Sequence, residues 1–104
     1  MKLKLIERLT ILQILPHEGN FATLNIVRTL KETLAPTEEE FKKFEIIQDA
    51  DQTKWNEKGK EELELKIGEK ATDVIVEALE KLDKEKKITA FHLSIYEKFV
   101  KNKD

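Results

Sequence analysis

The sequence predicts an α+β fold, with four or five helices and a small antiparallel β-hairpin or three-stranded sheet in the middle of the chain. Apolar residues recur at helical spacing towards both ends of the sequence, and this spacing is lost between residues 45 and 67. Within that stretch, residues 62–67 alternate strictly between charged and aliphatic side chains. A chain of 104 residues can bury one self-supporting core, so we expect a single domain, residues 1–104.

The charge of this chain is dense and balanced, with 19 basic residues against 21 acidic ones and a net charge of −2. This pattern is typical of a solvated, salt-bridged surface, and it argues against nucleic-acid binding, which needs a clustered basic footprint. The sequence contains no cysteine, which excludes thiolate chemistry and favours a cytoplasmic location over a secreted one. Because no apolar run approaches 18 residues, we expect no membrane partner.

Residues 3–15 are apolar on almost every side when wound as a helix, which predicts a central, buried first helix. The isoleucines in this stretch would also suit a strand, so a strand is the alternative. The segment from Pro16 to Asn20 then stops the helix, because it combines a proline with Gly19.

Two capping signals predict the next helices. Asn20 can cap a helix over about residues 21–34, whose apolar stripe comprises Leu24, Ile26, Val27, Leu30 and Leu34. Thr37 and Glu40 have the spacing of a capping box, in which each side chain bonds the other residue's backbone amide. They predict a short third helix that ends near Phe44.

The middle of the chain predicts strands. Residues 46–48 and 52–56 flank the turn-like Asp49-Ala50-Asp51, a pattern typical of a hairpin. We expect Trp55 to anchor this hairpin by burial against the helices. The alternating residues 62–67 then predict a half-buried third strand.

After Gly68 the helical spacing returns. One predicted helix buries a stripe of Ala71, Val74, Ile75, Ala78, Leu79 and Leu82, with Val76 outside it. A last helix follows Thr89 and is predicted to turn inward Phe91, His92, Ile95, Tyr96 and Phe99. Residues 101–104 are expected to be a frayed tail.

No catalytic, cofactor-binding or metal-binding residue is predicted. Asp49 and Asp51 resemble the start of a calcium loop, but Lys54 and Lys60 occupy the positions that need glycine and glutamate. His17 and His92 lack the further ligands that zinc requires, and we interpret His92 as a core-edge side chain. Ser94 lacks a nucleophile-elbow context, and the three glycines form no phosphate loop. We therefore expect no enzyme.

Three segments carry a resemblance: Leu15–Phe21, Trp55-Asn56 with Leu65–Asp73, and Lys86–Thr89. Together they resemble a group of small uncharacterised proteins of phages and prophages, over most of the chain. The resemblance implies a bacterial or phage setting and a short accessory gene product. It implies no activity and no role for any residue.

These observations favour a non-catalytic protein-interaction or assembly module of the bacterial cytoplasm. The alternative is a nucleic-acid-associated regulator with a winged-helix-like core, because helices precede a hairpin. The predicted partner is a protein, including a second copy of this chain. A homodimer would cover the excess of apolar side chains on the two terminal helices. If the first helix instead runs through the centre of the domain, that excess disappears.

Overall fold

The computed structural model describes residues 1–48 and 52–101, and it confirms the α+β fold. The helices are α1 (Leu5–Ile14), α2 (Phe21–Leu34), α3 (Glu38–Lys43), α4 (Glu69–Lys84) and α5 (Ala90–Tyr96), with α5 continuing as a π-helical turn over Glu97–Lys101. The strands are β1 (Lys2–Leu3), β2 (Ile47–Gln48), β3 (Thr53–Lys54) and β4 (Leu63–Glu64), and a 3-10 turn spans Glu57–Lys60. The strands are only two residues long, so helices dominate the described part of the chain.

Helix α1 runs through the centre of the fold, which settles the choice between helix and strand for most of residues 3–15. It contacts α2, α4, α5 and the 3-10 turn. The core around it is aliphatic apart from one phenylalanine, and its buried members are Leu3, Ile11, Leu15, Val27, Leu30, Leu34, Ile75, Val76, Leu79, Ile95 and Phe99. A helix with neighbours on several sides needs apolar residues on several faces, as the sequence indicated.

The predicted capping residues adopt their expected roles. The Asn20 side chain accepts a hydrogen bond of 2.8 Å from the amide of Thr23, and α2 occupies the predicted residues 21–34. The Thr37 hydroxyl accepts from the Glu40 amide at 3.1 Å, while the Glu40 carboxylate accepts from the Thr37 amide at 3.0 Å. These local bonds fix where α2 and α3 begin.

The strands form two separate ladders. Strands β2 and β3 pair as the predicted antiparallel hairpin, with Ile47 opposite Lys54, while Asp49-Ala50-Asp51 lie outside the described residues. Trp55, which follows β3, is partly buried. The predicted third strand does not join this hairpin. Only Leu63–Glu64 of residues 62–67 form a strand, β4, which pairs antiparallel with β1 and places Leu3 opposite Leu63.

Two details of the last helices correct the predicted stripes. Val76 is only 3% exposed, because α4 has neighbours on more than one side and buries more than a single stripe. Phe91 was predicted to face inward, but it is 65% exposed. Helical spacing predicts which way a side chain points, but not how far the neighbouring element extends along the helix. Ile95 and Phe99 are therefore buried, whereas Phe91 in the first turn of α5 is exposed.

Candidate interaction surface

An open groove of about 510 Å³ lies between α2 and residues 66–71, the segment that leads into α4 and forms its first residues. We call it the α2 groove. Its α2 wall consists of Asn25, Ile26, Thr29, Leu30 and Thr33, and its other wall consists of Lys66, Ile67, Gly68, Glu69, Lys70 and Ala71. The volume lies within the range of about 300–1,000 Å³ that is usual for binding pockets.

Residues four apart on a helix lie above one another, so the α2 wall is built from two rows. Ile26 and Leu30 form the inner row, which is partly or fully buried. Asn25, Thr29 and Thr33 form the outer row. The inner row gives the groove an apolar floor, and the outer row gives it a wall of short side chains.

Phe21 continues the outer row by one helical turn, because it lies four residues before Asn25. Its side chain is 85% exposed. Large aromatic side chains are usually at least half buried in single domains, and they are enriched where proteins bind one another. The helical spacing in the sequence did not single out Phe21. Its exposure could have been predicted from its position in the row of polar residues of α2, outside the apolar stripe.

The two threonines of the outer row have satisfied hydroxyl groups. Thr29 donates to the Asn25 carbonyl at 3.3 Å, and Thr33 donates to the Thr29 carbonyl at 3.1 Å. A hydroxyl that already donates within its own helix costs less to desolvate than a free one. The wall can therefore be covered by an apolar partner without leaving these donors unpaired.

The rim of the α2 groove carries an excess of positive charge. Lys66 and Lys70 lie on the wall opposite α2, and Glu69 is the acidic residue of the lining. Arg28 and Glu32 lie beside the outer row and offset each other, and the Arg28 guanidinium donates to the Asn25 side chain. This local excess contrasts with the net charge of −2 of the whole chain.

Further apolar side chains are exposed away from this groove. Phe91 and Leu93 of α5 are 65% and 54% exposed, and Ile47 of the hairpin and Leu63 of β4 are also exposed. Phe91 and Leu93 are two residues apart, so they lie on opposite flanks of α5 and form no single row. They are weaker candidates for one contact surface than the continuous face of α2.

A second groove of about 420 Å³ lies between the end of α1, the following loop and α4. Ile14, Leu15 and Leu82 contribute apolar surface, and His17 lies at the edge. Its charged lining residues have both signs, namely Glu77, Lys81 and Glu85. Two glutamates against one lysine give this groove one net negative charge, whereas Lys66, Lys70 and Glu69 give the α2 groove one net positive charge.

The ionisable residues inside the fold are held in structural bonds. Arg8 donates to both carboxylate oxygens of Glu40, at 2.6 and 3.0 Å, and also to the carbonyls of Leu34 and Ala35. These hydrogen bonds stabilise the ionised carboxylate, so they hold the pKa of Glu40 below its usual range. This arrangement closes the junction between α2 and α3.

A second cluster centres on Lys98, which donates to the carboxylates of Glu7 and Glu62, each at 2.8 Å, and to the Lys2 carbonyl at 2.9 Å. Burial alone would lower the pKa of Lys98, but the bonds to Glu62 and Glu7 outweigh it and raise that pKa. Through its hydrogen bond and charge, Lys98 lowers the pKa of Glu62. Glu7 also accepts from the Lys4 amide and so caps α1.

Within the described residues, neither histidine belongs to a group of side chains that could hold a metal ion. The Nδ1 atom of His92 accepts from the Thr89 amide at 2.9 Å, which caps α5, and His92 is partly buried as a core-edge residue would be. His17 is exposed in the loop after α1. Residues 1–48 and 52–101 contain no group of three or more histidine, cysteine or acidic residues that could hold a metal ion. The candidate calcium residues Asp49 and Asp51 lie outside these ranges.

Among the described helices, none is both long and apolar enough to cross a membrane. No protein-family model, curated protein or solved structure matches this chain.

Proposed function

We propose that this chain is a non-catalytic protein-interaction module whose contact surface is the α2 groove together with Phe21. The observation that carries the proposal is the 85% exposed Phe21 side chain, which extends the wall of an apolar groove. An aromatic anchor beside an apolar floor and a polar rim is the usual composition of a protein contact.

The bonds inside the fold support a non-catalytic role. Within the described residues, no buried side-chain nitrogen or oxygen lacks a hydrogen-bond partner. Arg8, Glu7 and Lys98 each bond to groups of the fold itself. A general acid or base needs an ionisable group that is free to reach a substrate.

The proposal can be tested by affinity capture from the native host with Phe21→Ser and Thr29→Arg variants. We expect both variants to lose the proteins that co-purify with the wild-type chain. Ile47→Ser is the matched control, because it removes an exposed large apolar side chain from the hairpin, away from the groove. All three variants should keep wild-type stability, since exposed substitutions usually change it by less than about 0.5 kcal/mol. Retention of the same proteins by all variants would contradict the proposal.

Self-association through a homodimer stays a prediction, and fewer exposed apolar residues now support it. The central position of α1 and the burial of Val76 remove two of its premises, and Phe91 and Leu93 on α5 remain exposed. Light scattering over a dilution series tests it, with Phe91→Ser combined with Leu93→Ser as the dissociating variant. A constant mass near 12 kDa at high concentration would exclude a homodimer.

The alternative of a nucleic-acid-associated regulator also stays a prediction. Helix α3, which precedes the hairpin as a recognition helix would, has six residues and exposes Glu38 and Glu39 in its first turn. These carboxylates would repel phosphate groups. Retention on heparin at low salt would favour this alternative. The bacterial cytoplasm and the phage setting are proposed only on the composition and on the resemblance.

A further inference from the structure

We propose that the α2 groove binds an amphipathic helix of a partner protein, and that this helix carries carboxylates beside its aliphatic row. The inference depends on the proposed function, because it names the chemistry of the partner that the same surface would bind. Three features carry it: the length of the outer row, the low desolvation cost of its threonines, and the positive rim.

The outer row runs from Phe21 to Thr33, which is about 18 Å at 1.5 Å per residue. A partner helix lying along it would place about three turns against α2. Such helices bind through side chains at i, i+4 and i+7, and these suit the apolar floor of Ile26 and Leu30. The short side chains of Asn25, Thr29 and Thr33 allow the close approach that helix pairs require, with axes about 8–10 Å apart.

The satisfied threonine hydroxyls explain why an aliphatic row fits this wall. Thr29 and Thr33 donate to carbonyls of α2 itself, so they need no polar atom from the partner. Phe21 at the end of the row then supplies an aromatic surface for the partner's last turn.

The rim selects the charge of the partner. Lys66 and Lys70 are the cations that line the wall opposite α2, while Arg28 and Glu32 beside the outer row offset each other. Carboxylates flanking the aliphatic row of the partner would approach these cations, whereas a basic helix would be repelled. The lining holds two lysines against one acidic residue, Glu69, and this net charge of +1 favours carboxylates over ammonium groups.

A peptide display library tests the inference directly. The library presents 18-residue helices with randomised core and flanking positions, and the full chain is the bait. We expect enriched peptides to have aliphatic residues at i, i+4 and i+7 with glutamate or aspartate beside them. Their affinity should fall about tenfold for Lys66→Glu combined with Lys70→Glu. Lys42→Glu combined with Lys43→Glu is the control, because it changes the same charge on α3, and it should leave the affinity unchanged.

Several results would overturn the inference. One is enrichment of peptides whose flanking residues are basic, and another is enrichment no greater than for an unrelated bait protein. A third is peptide binding that is unchanged when Lys66 and Lys70 are both replaced by glutamate. Groove resonances that shift with dodecanoate while no peptide is enriched would assign the groove to a small amphiphile instead. Concentration-dependent growth in mass that the Lys66 and Lys70 exchange abolishes would assign it to a second copy of this chain.

The test separates the two proposals. If captured proteins depend on Phe21 but not on Lys66 and Lys70, the interaction surface stands and the acidic helix is wrong. If capture depends on neither Phe21 nor the lysines, the proposed function itself is wrong.

Discussion

Glu7 and Arg8 are consecutive residues of α1, yet they bind different segments of the chain. Arg8 makes a two-point contact with Glu40 and bonds two carbonyls at the end of α2, so its partners come from the short stretch 34–40. Glu7 instead meets Lys98, which joins segments from the two ends and the middle of the chain. The planar guanidinium of Arg8 stabilises one junction, between α2 and α3, whereas the ammonium of Lys98 binds segments that are distant in sequence.

The difference predicts that the Arg8 side is the more costly one to break. Arg8→Ala should lower the free energy of unfolding by about 3–5 kcal/mol, because it leaves a carboxylate and helix-end carbonyls without their buried partner. Urea unfolding followed by circular dichroism measures this loss. Arg28→Ala is the control, since Arg28 is exposed and should change stability by less than about 0.5 kcal/mol. A loss below 1 kcal/mol for Arg8→Ala would contradict the ranking.

On the other side, Lys98→Met should cost about 2 kcal/mol, because its aliphatic part still packs while its charged hydrogen bonds are lost. The same urea experiment applies. Lys101→Met removes an exposed lysine from the same helical turn and should have little effect. If Lys98→Met costs more than Arg8→Ala, the comparison between the two sides is reversed.

Alkaline pH should weaken the Lys98 side alone. Because the folded state raises the pKa of Lys98, its stabilisation is complete below the ordinary lysine value of about 10.4 and is lost as the pH rises through the higher folded value. The stability difference between wild type and Lys98→Met should therefore shrink above about pH 10.4. The difference for Arg8→Ala should persist, since arginine stays charged there. If the stability differences of Lys98→Met and Arg8→Ala from wild type shrank equally above this pH, the assignment of the alkaline effect to Lys98 would be wrong.

Acid should weaken the Arg8 side through Glu40. The folded state lowers the pKa of Glu40, so its contribution is complete above the ordinary value of about 4.3 and is lost as the pH falls through the lower folded value. We expect about 1 kcal/mol or less, measured as a shallower acid dependence in Glu40→Gln than in wild type. Glu39→Gln is the control, because Glu39 is exposed on the same helix. Equal acid slopes for wild type and Glu40→Gln would contradict it.

The smallest expected effects are gains at two helix ends. Glu45 follows α3 and Lys86 follows α4, and both adopt left-handed backbone angles, with φ of 51° and 59°. Glycine adopts this conformation without steric cost, so Glu45→Gly and Lys86→Gly should each raise the free energy of unfolding by about 0.5–1 kcal/mol. Thermal unfolding measures the gain. Lys84→Gly, inside the last turn of α4, should instead lower stability by about 1 kcal/mol.

Local signals predicted most of the helices, and contacts between distant residues explain what was missed. Asn20, Thr37 and the stripe of α4 act within a few residues, so the sequence alone places those helices. Pairing of β1 with β4 joins two-residue strands about 60 positions apart, and no local pattern specifies it.

The candidate surface was harder to predict than the fold. Glu7 and Arg8 are charged residues within an apolar helix, and their partners Lys98 and Glu40 are distant in sequence. The exposure of Phe21 and Phe91 depends on where neighbouring elements end, which spacing does not show. The α2 groove likewise arises only when residues 66–71 lie beside α2.

The long-range hydrogen bonds of Lys98 also affect the order in which contacts form during folding. Its bond to the Lys2 carbonyl spans 96 residues, whereas the capping bonds of α2 and α3 span three. Closing so long a loop costs entropy, and contacts of this kind usually form late. Loss of the Lys98 bonds should therefore speed unfolding while leaving the refolding rate nearly unchanged. In this respect Lys98 would set the lifetime of the native state more than the rate at which the chain reaches it.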